Sequence, residues 1–169
     1  MKPLSPRQRL AQALDAIGGI ERYAVLSGVS PRDFANAQSG RQVATVPFLR
    51  ICVAVRHDPL HELPHKMPEI PSNFDFCLLA LAFYVKRNLN GQTEAQTARA
   101  LGVELETICR MERGERMPIG VVLRACKFVN VHPFGYLAVL DTPSISKKID
   151  TPAIFLKTSH VSRETSVGG

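Results

Sequence analysis

The segment LGVELETICRMERG, residues 101–114, decides how the rest of the chain is interpreted. Gly102 can adopt the left-handed backbone conformation that lets a helix end and the chain turn sharply. Val103 follows as an apolar residue that can fill the corner. Apolar residues continue at helical spacing from Ile108, and Gly114 can end that second helix. The segment therefore predicts a tight turn followed by a short helix.

The same pattern occurs a second time, 74 residues upstream. Residues 23–63 align with residues 97–137 without a gap. Nine positions are identical, and they are Ala24/Ala98, Gly28/Gly102, Val29/Val103, Gly40/Gly114, Leu49/Leu123, Arg50/Arg124, Cys52/Cys126, Pro59/Pro133 and Leu63/Leu137. Because glycines, a proline and apolar residues fix turns and cores, the matches predict two copies of one structural unit.

Each copy predicts the same succession of short helices. In the downstream copy, Thr93 is a good N-cap for the run EAQTARAL, a third helix is expected over residues 119–128, and Pro133 begins a short last turn. In the upstream copy, an amphipathic helix is expected over residues 5–16, and Ser30 caps a helix whose first residue is a proline. The sequence predicts an all-α protein.

Proline and composition place the boundaries. The stretch PHKMPEIPSN cannot continue a helix, so we expect a first domain at residues 1–64, called copy 1, and a Pro-rich linker at 65–73. The second domain, copy 2, is expected at 74–141. Residues 142–169 have no helical period and predict a flexible tail, in which residues 152–158, PAIFLKT, could form a strand or dock on a partner.

The helix that opens copy 2, FDFCLLALAFYVKRN, is apolar nearly all round. A small core cannot bury all of its apolar side chains, so the helix must be covered on more than one side. Either copy 1 or a second chain could supply that cover. We expect an interface here, and a homodimer through this helix or the tail stays open.

Composition and charge narrow the function classes. The net charge of +6 points to an anionic partner. The charge lies mainly in residues 1–66, with nine Lys/Arg against five Asp/Glu, whereas residues 67–141 hold eight of each. No secretory signal or membrane span is indicated, so a cytoplasmic protein is expected. The four cysteines lack a CxxC pair and suit reduced core thiols better than disulfides or zinc ligands.

Metal, cofactor and enzyme chemistry find little support in the residues. His57, His61 and His65 recur every four residues, but Pro59 and Pro64 interrupt any helix that would align them. No glycine-rich phosphate loop, nucleophile elbow or pair of acids in a plausible cleft is present. We expect no metal, no cofactor and no enzymatic activity.

The run TEAQTARALGVELETICRMERGERMP, followed by LRACKFVNVHP, resembles the helix-turn-helix domain of the lambda repressor and Cro (XRE-type) family. The likeness covers residues 74–138 well and, more weakly, residues 5–64. It implies two tandem five-helix, lambda-repressor-like domains, in each of which the third helix enters the major groove of double-stranded DNA. The resemblance thus implies a sequence-specific transcriptional regulator, with a repressor expected, at the nucleoid.

The resemblance also implies which residues contact DNA. Arginine suits guanine or phosphate, and Asn or Gln suits adenine. The implied contacts are Arg32, Asn36, Gln38, Arg41 and Gln42 in copy 1, and Thr93, Glu106, Thr107, Arg110, Arg113 and Arg116 in copy 2. Copy 1 is expected to make the larger share of base contacts.

The acids of copy 2 leave three interpretations open. Glu104 and Glu106 could complement the dipole of the helix they open, or Glu106 could accept a hydrogen bond from cytosine N4. Alternatively, copy 2 repels DNA and binds protein, as in an anti-activator. A further alternative is an antitoxin that binds operator DNA and neutralises a toxin through the tail around residues 154–156.

Overall fold

The computed structural model describes residues 4–17, 20–61 and 66–138, and within these ranges the protein is all-α. A two-residue antiparallel pair joins β1 (Asn73–Phe74) to β2 (Leu137–Ala138), and Pro133–Tyr136 forms a 3-10 turn. The α-helices are α1 Pro6–Ile17, α2 Ile20–Ser27, α3 Pro31–Gln38, α4 Thr45–Ala54, α5 Phe76–Leu89, α6 Glu94–Leu101, α7 Leu105–Glu112 and α8 Ile119–Val129. The tail lies outside the described residues.

The 74-residue repeat is also a repeat of backbone conformation. Helices α2 and α3 begin and end 74 residues before α6 and α7. Residues with positive φ recur at the same spacing, as Gly28 and Gly102, Gly40 and Gly114, and Arg56 and Asn130. The identical residues therefore mark places where the two chain segments make the same turns.

The local signals for helix ends are confirmed. Thr93 forms a capping box with Gln96, and Gly102 ends α6 in the left-handed conformation with a φ of 61°. In copy 1 the Ser30 side chain accepts a hydrogen bond from the amide of Asp33, with proline at the first helical position. These caps work because they satisfy amides that the first turn of a helix leaves without partners.

The short last turn expected at Pro133 is present in copy 2, as a 3-10 helix over Pro133–Tyr136. At the equivalent place in copy 1, the described residues 57–61 carry no helical turn, and His61 has a φ of 57°. A positive φ cannot continue a right-handed helix, so among the described residues only copy 2 has a fifth helix, and the arrangement as two five-helix domains is not confirmed.

The two copies share one continuous hydrophobic core. In copy 1, α1 packs on α3 and α2 on α4; in copy 2, α5 packs on α7 and α8, and α6 on α7. The segment before β1 joins them: Pro71 is buried, and Met67 and Ile70 pack against the core. The residues expected as a linker therefore contribute to packing.

Cysteine burial partly follows expectation. Cys52 and Cys126 are buried, and burial raises the pKa of the Cys126 thiol to about 12. Cys77 is exposed and Cys109 is half-buried, so these two are not core thiols. The apolar sequence neighbours of Cys77 predicted a core position, but Cys77 lies on the solvent side of α5.

None of the described helices has the length and apolarity needed to cross a membrane.

Contacts between the copies join equivalent positions. His132 Nε2 lies 2.9 Å from Asp58 Oδ1, and these residues are 74 positions apart. Each also caps its own loop: Asp58 accepts from the amide of Leu60, and His132 Nδ1 accepts from the amide of Phe134. The equivalent helices α4 and α8 meet nearby. These contacts join an equivalent pair of residues and an equivalent pair of helices, as contacts across the axis of a symmetric dimer do.

A second hydrogen bond reinforces this packing. The Thr45 side chain donates to the carbonyl oxygen of Met117 at 2.6 Å, and both residues are buried. Because a buried carbonyl without a partner is costly, this bond favours one relative placement of α4 and the segment before α8. The two polar contacts and the shared core hold the copies as one body.

We predict that Asp58→Asn lowers the free energy of unfolding by about 2 kcal/mol at pH 7. Burial alone would raise the pKa of Asp58, but hydrogen bonds from His132 and from backbone amides outweigh it and lower the pKa from 3.8 to about 2. The stabilisation is therefore fully present above pH 4 and is lost as the pH falls toward 2. Urea unfolding of the unaltered protein and of Asp58→Asn between pH 7 and pH 2 measures this loss of stability.

The matched control is Asp15→Asn, which removes an exposed carboxylate from α1. We expect it to change the free energy of unfolding by less than about 0.5 kcal/mol. An Asp58→Asn penalty that stays constant between pH 7 and pH 2 would contradict the proposed ionic origin.

Candidate nucleic-acid interface

An arginine holds the turn between α6 and α7. Arg124 Nη1, on α8, donates to the carbonyl oxygens of Leu101 and Gly102 at 3.0 and 2.8 Å. The last carbonyls of a helix have no partners within it, so a cation there satisfies them and complements the helix dipole. Arg124 therefore fixes the angle at which α7 leaves α6.

Copy 1 places the equivalent arginine against the equivalent glycine. The Arg50 guanidinium lies 2.8 Å from the point that a Cβ on Gly28 would occupy, and Gly28 has a φ of 58°. A side chain at Gly28 would be strained by the backbone conformation, and the end of Arg50 would have to move to admit it. In copy 2 the corresponding distance to Arg124 is 3.8 Å, so the reason for glycine that both copies share is the left-handed backbone.

A buried ion pair anchors α7 to α5. Arg87 Nε and Nη2 contact the two carboxylate oxygens of Glu112 at 2.6 and 3.1 Å, and Arg87 Nη1 donates to the carbonyl oxygen of Gln92 at 3.0 Å. The side chains are only 9% and 12% exposed. Hydrogen bonding to Glu112 raises the pKa of Arg87. The pair connects α5, the loop before α6 and the end of α7.

The outward face of α7 carries its own ion-pair network. Glu115 contacts Arg110 Nε at 2.7 Å and Arg113 Nε at 2.8 Å, and Arg113 Nη2 contacts Glu106 at 3.2 Å. Hydrogen bonds from Arg110 and Arg113 lower the pKa of Glu115. Two of the three arginines expected to contact phosphate are therefore already paired with carboxylates.

The remaining predicted residues of copy 2 differ in availability. Arg116 is exposed and has no ion-pair partner in the part of the chain that the structure describes. Thr93 is exposed, but its hydroxyl accepts from the Gln96 amide at 3.2 Å. Thr107 is half-buried. Glu104 occupies the N-cap of α7 without a capping hydrogen bond from its side chain.

Copy 1 presents a less neutralised surface. Arg32, Arg41 and Gln42 are exposed, and Asn36 and Gln38 are half-buried on α3 and its end. The acid of α3, Asp33, accepts a hydrogen bond of 2.8 Å from the Ser30 hydroxyl.

Among the described residues, neither Arg32 nor Arg41 makes an ion pair. The guanidinium groups of copy 1 are therefore available to an external anion, whereas those of Arg110 and Arg113 are shared with carboxylates.

Several predicted features fall partly or wholly outside the described residues. These are His65 and the tail with residues 154–156, so the structure bears on neither the histidine spacing as a whole nor the antitoxin hypothesis. His57 and His61 have ring centroids 5.4 Å apart. Burial, His61 and Arg9 lower the pKa of His57. The described residues include no cluster of three or more potential metal ligands.

Comparisons with known proteins return nothing for this chain. No protein-family model, curated protein or solved structure matches it. The likeness to the lambda repressor and Cro family therefore depends on the residues and turn geometry described above.

Sequence reasoning missed the residues that position the two helix-turn-helix segments. Arg50 and Arg124 could have been found from the sequence, because they are the same charged residue in both copies whereas most other identical positions are apolar or glycine. Arg87 carried a weaker signal, as a cation in an apolar helix. Asp58 and Thr45 gave no signal, since their partners lie in the other copy.

We predict that Arg87→Leu lowers the free energy of unfolding by about 3 kcal/mol or more, because Glu112 is left as a buried charge without its main partner. Copy 1 suggests the compensating change. In α1 the buried Leu14 follows the buried Leu10 by four residues, just as Arg87 follows the buried Phe83 in α5. Gln38 is the residue of copy 1 that is equivalent to Glu112. The double variant Arg87→Leu/Glu112→Gln should therefore recover most of the loss.

Thermal and urea unfolding of Arg87→Leu, Glu112→Gln and the double variant measure the coupling between these positions. Additive losses in the double variant would contradict the role given to the ion pair.

Proposed function

We propose that this protein is a sequence-specific double-stranded-DNA-binding transcriptional regulator, with repression by operator occupancy as its mode of action. The observation that carries the proposal is the repeated helix–turn–helix. Two short helices join through a left-handed glycine in each copy, with identical spacing and an arginine beneath the turn. The second helix of each pair exposes polar side chains suited to base edges.

The packing of the copies favours an inverted repeat as the operator. The Asp58–His132 contact and the contact of α4 with α8 join equivalent positions, as a two-fold rotation between the copies would. One chain then resembles a dimer of repressor domains, with α3 and α7 on successive major grooves about 34 Å apart. A direct repeat would need two copies in the same orientation.

The electrostatics favour unequal roles for the copies. Arg32 and Arg41 are open to DNA, whereas Arg110 and Arg113 share their charge with Glu106 and Glu115. Copy 1 therefore supplies most base contacts. Copy 2 supplies phosphate contacts through Arg116 and, where DNA displaces the carboxylates, through Arg110 and Arg113. The affinity falls steeply with salt, because phosphate contacts release counterions.

We predict that Arg32→Ala and Asn36→Ala each weaken binding to selected DNA by roughly tenfold to a hundredfold and relax selectivity, because each removes a base contact. The probe is a duplex of about 30 base pairs enriched from a random library, with fluorescence anisotropy as the readout. Arg99→Ala is the matched control, since it removes an exposed arginine of α6.

If Arg99→Ala weakens DNA binding as much as Arg32→Ala does, and neither variant changes the selectivity, the arginines act only through unspecific charge attraction. Failure of the library to enrich any sequence would overturn the proposal.

We predict that Glu115→Gln tightens DNA binding by roughly threefold to tenfold, because it releases Arg110 and Arg113 for phosphate and increases the salt dependence. Glu69→Gln changes the net charge equally at an exposed residue before β1 and is the matched control. Titrations at several salt concentrations measure both effects. Equal behaviour of the two variants would mean that copy 2 does not contact DNA.

A specific observation favours a second candidate, a protein-interaction module such as an anti-activator. Val25 and Leu26 on α2 are 81% and 49% exposed, whereas their equivalents in copy 2 are Arg99 and Ala100. Exposed apolar side chains mark protein contacts more often than DNA contacts. If neither the Arg32/Asn36 pair nor the Arg110/Arg116 pair affects DNA binding, this candidate replaces the first.

A further inference from the structure

Helix α5 has two apolar faces, and the described chain covers only one. Its inner face buries Leu79, Ala80, Phe83 and Arg87 against α7 and α8. On the opposite side lies a row of large apolar side chains, Leu78, Leu81, Tyr84, Val85 and Leu89, which are 47%, 60%, 50%, 45% and 79% exposed. We call this row the α5 stripe. Copy 1, one of the two covers that the sequence left open, does not cover this second face among the described residues.

The fold itself does not require the α5 stripe. Helix α1 holds the equivalent position in copy 1 and buries Leu10 and Leu14 where α5 buries Phe83 and Arg87. Counted from those residues, the outward positions of α1 carry Gln8, Ala11, Gln12 and Ala16, and the one before the helix is Ser5. The same unit is therefore built with a polar or small outer face, so the apolar stripe serves something outside the unit.

The charges beside the α5 stripe fit a second copy of the same helix running antiparallel. The stripe itself contains no charged residue. Asp75 and Lys86 are eleven residues apart, which places them on the same flank. When two α5 helices pack antiparallel about a two-fold axis near Leu81, the same flank of each helix lies on the same side of the contact, with opposite chain directions. Asp75 of one copy then lies within reach of Lys86 of the other.

The same arrangement matches the apolar residues. With the axis near Leu81, Leu78 of one copy faces Val85 of the other, and the two Leu81 side chains meet. The five side chains of the α5 stripe together expose roughly 500 Å² per copy, near the upper end of the largest apolar patches on monomeric proteins. Two such patches together approach the roughly 1,000 Å² that a specific interface needs.

We propose that the α5 stripe is a homodimer interface, formed by antiparallel packing of α5 on α5 of a second copy. The assembly carries four helix–turn–helix segments in two chains. This inference does not depend on DNA binding, because oligomeric state is measured without DNA.

Sedimentation equilibrium of the full chain tests the interface. We expect the unaltered protein to dimerise, and Leu81→Glu to raise the dimer dissociation constant at least a hundredfold, because two carboxylates would meet at the axis. Val25→Glu is the matched control, since it places the same charge on an exposed valine of α2, and we expect it to leave the dimer intact. A protein that is monomeric up to about 100 µM overturns the proposal, including the case in which the tail covers the stripe.

A charge exchange tests the antiparallel direction. Lys86→Glu should weaken the dimer roughly tenfold by facing Asp75 of the other copy, and adding Asp75→Asn should restore part of the loss. Asparagine keeps the N-cap of α5, because it also accepts a hydrogen bond from the helix amides. Equal dissociation constants for the single and double variants would overturn the antiparallel arrangement.

A cross-link locates the axis. In a Cys77→Ser background, which removes the exposed thiol of α5, we expect Leu81→Cys to give a disulfide-linked dimer on mild oxidation. Val25→Cys in the same background should remain uncross-linked. A disulfide-linked dimer from the Val25→Cys variant and none from the Leu81→Cys variant would place the interface on α2 and overturn the proposal.

Discussion

The left-handed glycine turn, with an arginine beneath it, is the constraint on which the rest of the structure depends. Gly102 can turn the chain because it has no Cβ, and Arg124 satisfies the carbonyls that the turn leaves at the end of α6. The same pair, Gly28 and Arg50, recurs in copy 1. Once this angle is fixed, the second helix of each pair must project its polar side away from the core. The surface offered to a partner is thus a consequence of turn geometry.

The two copies use this common frame for different electrostatic surfaces. Copy 2 secures α7 with the buried Arg87–Glu112 pair and spreads acids among the arginines on its outer face. Copy 1 has Leu14 and Gln38 at the corresponding places, and its exposed arginines make no ion pairs among the described residues. Duplication gives each copy a fold that tolerates changes outside the turn and the core. This freedom accounts for surfaces that differ while the bounds of α2 and α3 stay 74 residues from those of α6 and α7.

The contact between equivalent residues of the two copies connects the internal repeat to assembly. Asp58 and His132 are 74 residues apart and meet directly, as equivalent residues do at a two-fold axis. Helix α5, with its outer stripe, breaks this symmetry, because its counterpart α1 is polar there. A chain that already contains two packed copies of one unit therefore has one further apolar surface, which suits pairing of two such chains.

The sequence by itself determined the helices, their caps and the repeat, because these follow from contacts within a few residues. Thr93, Ser30, Gly102 and Gly28 mark their turns without reference to the rest of the chain. Only the tertiary structure decided which charges remain available and how the copies face each other. The partners in Asp58–His132, Thr45–Met117 and Arg87–Glu112 are distant in sequence, and no local pattern specifies them. Long-range polar contacts depend on where the core places each helix, and that placement is a property of the whole packed chain.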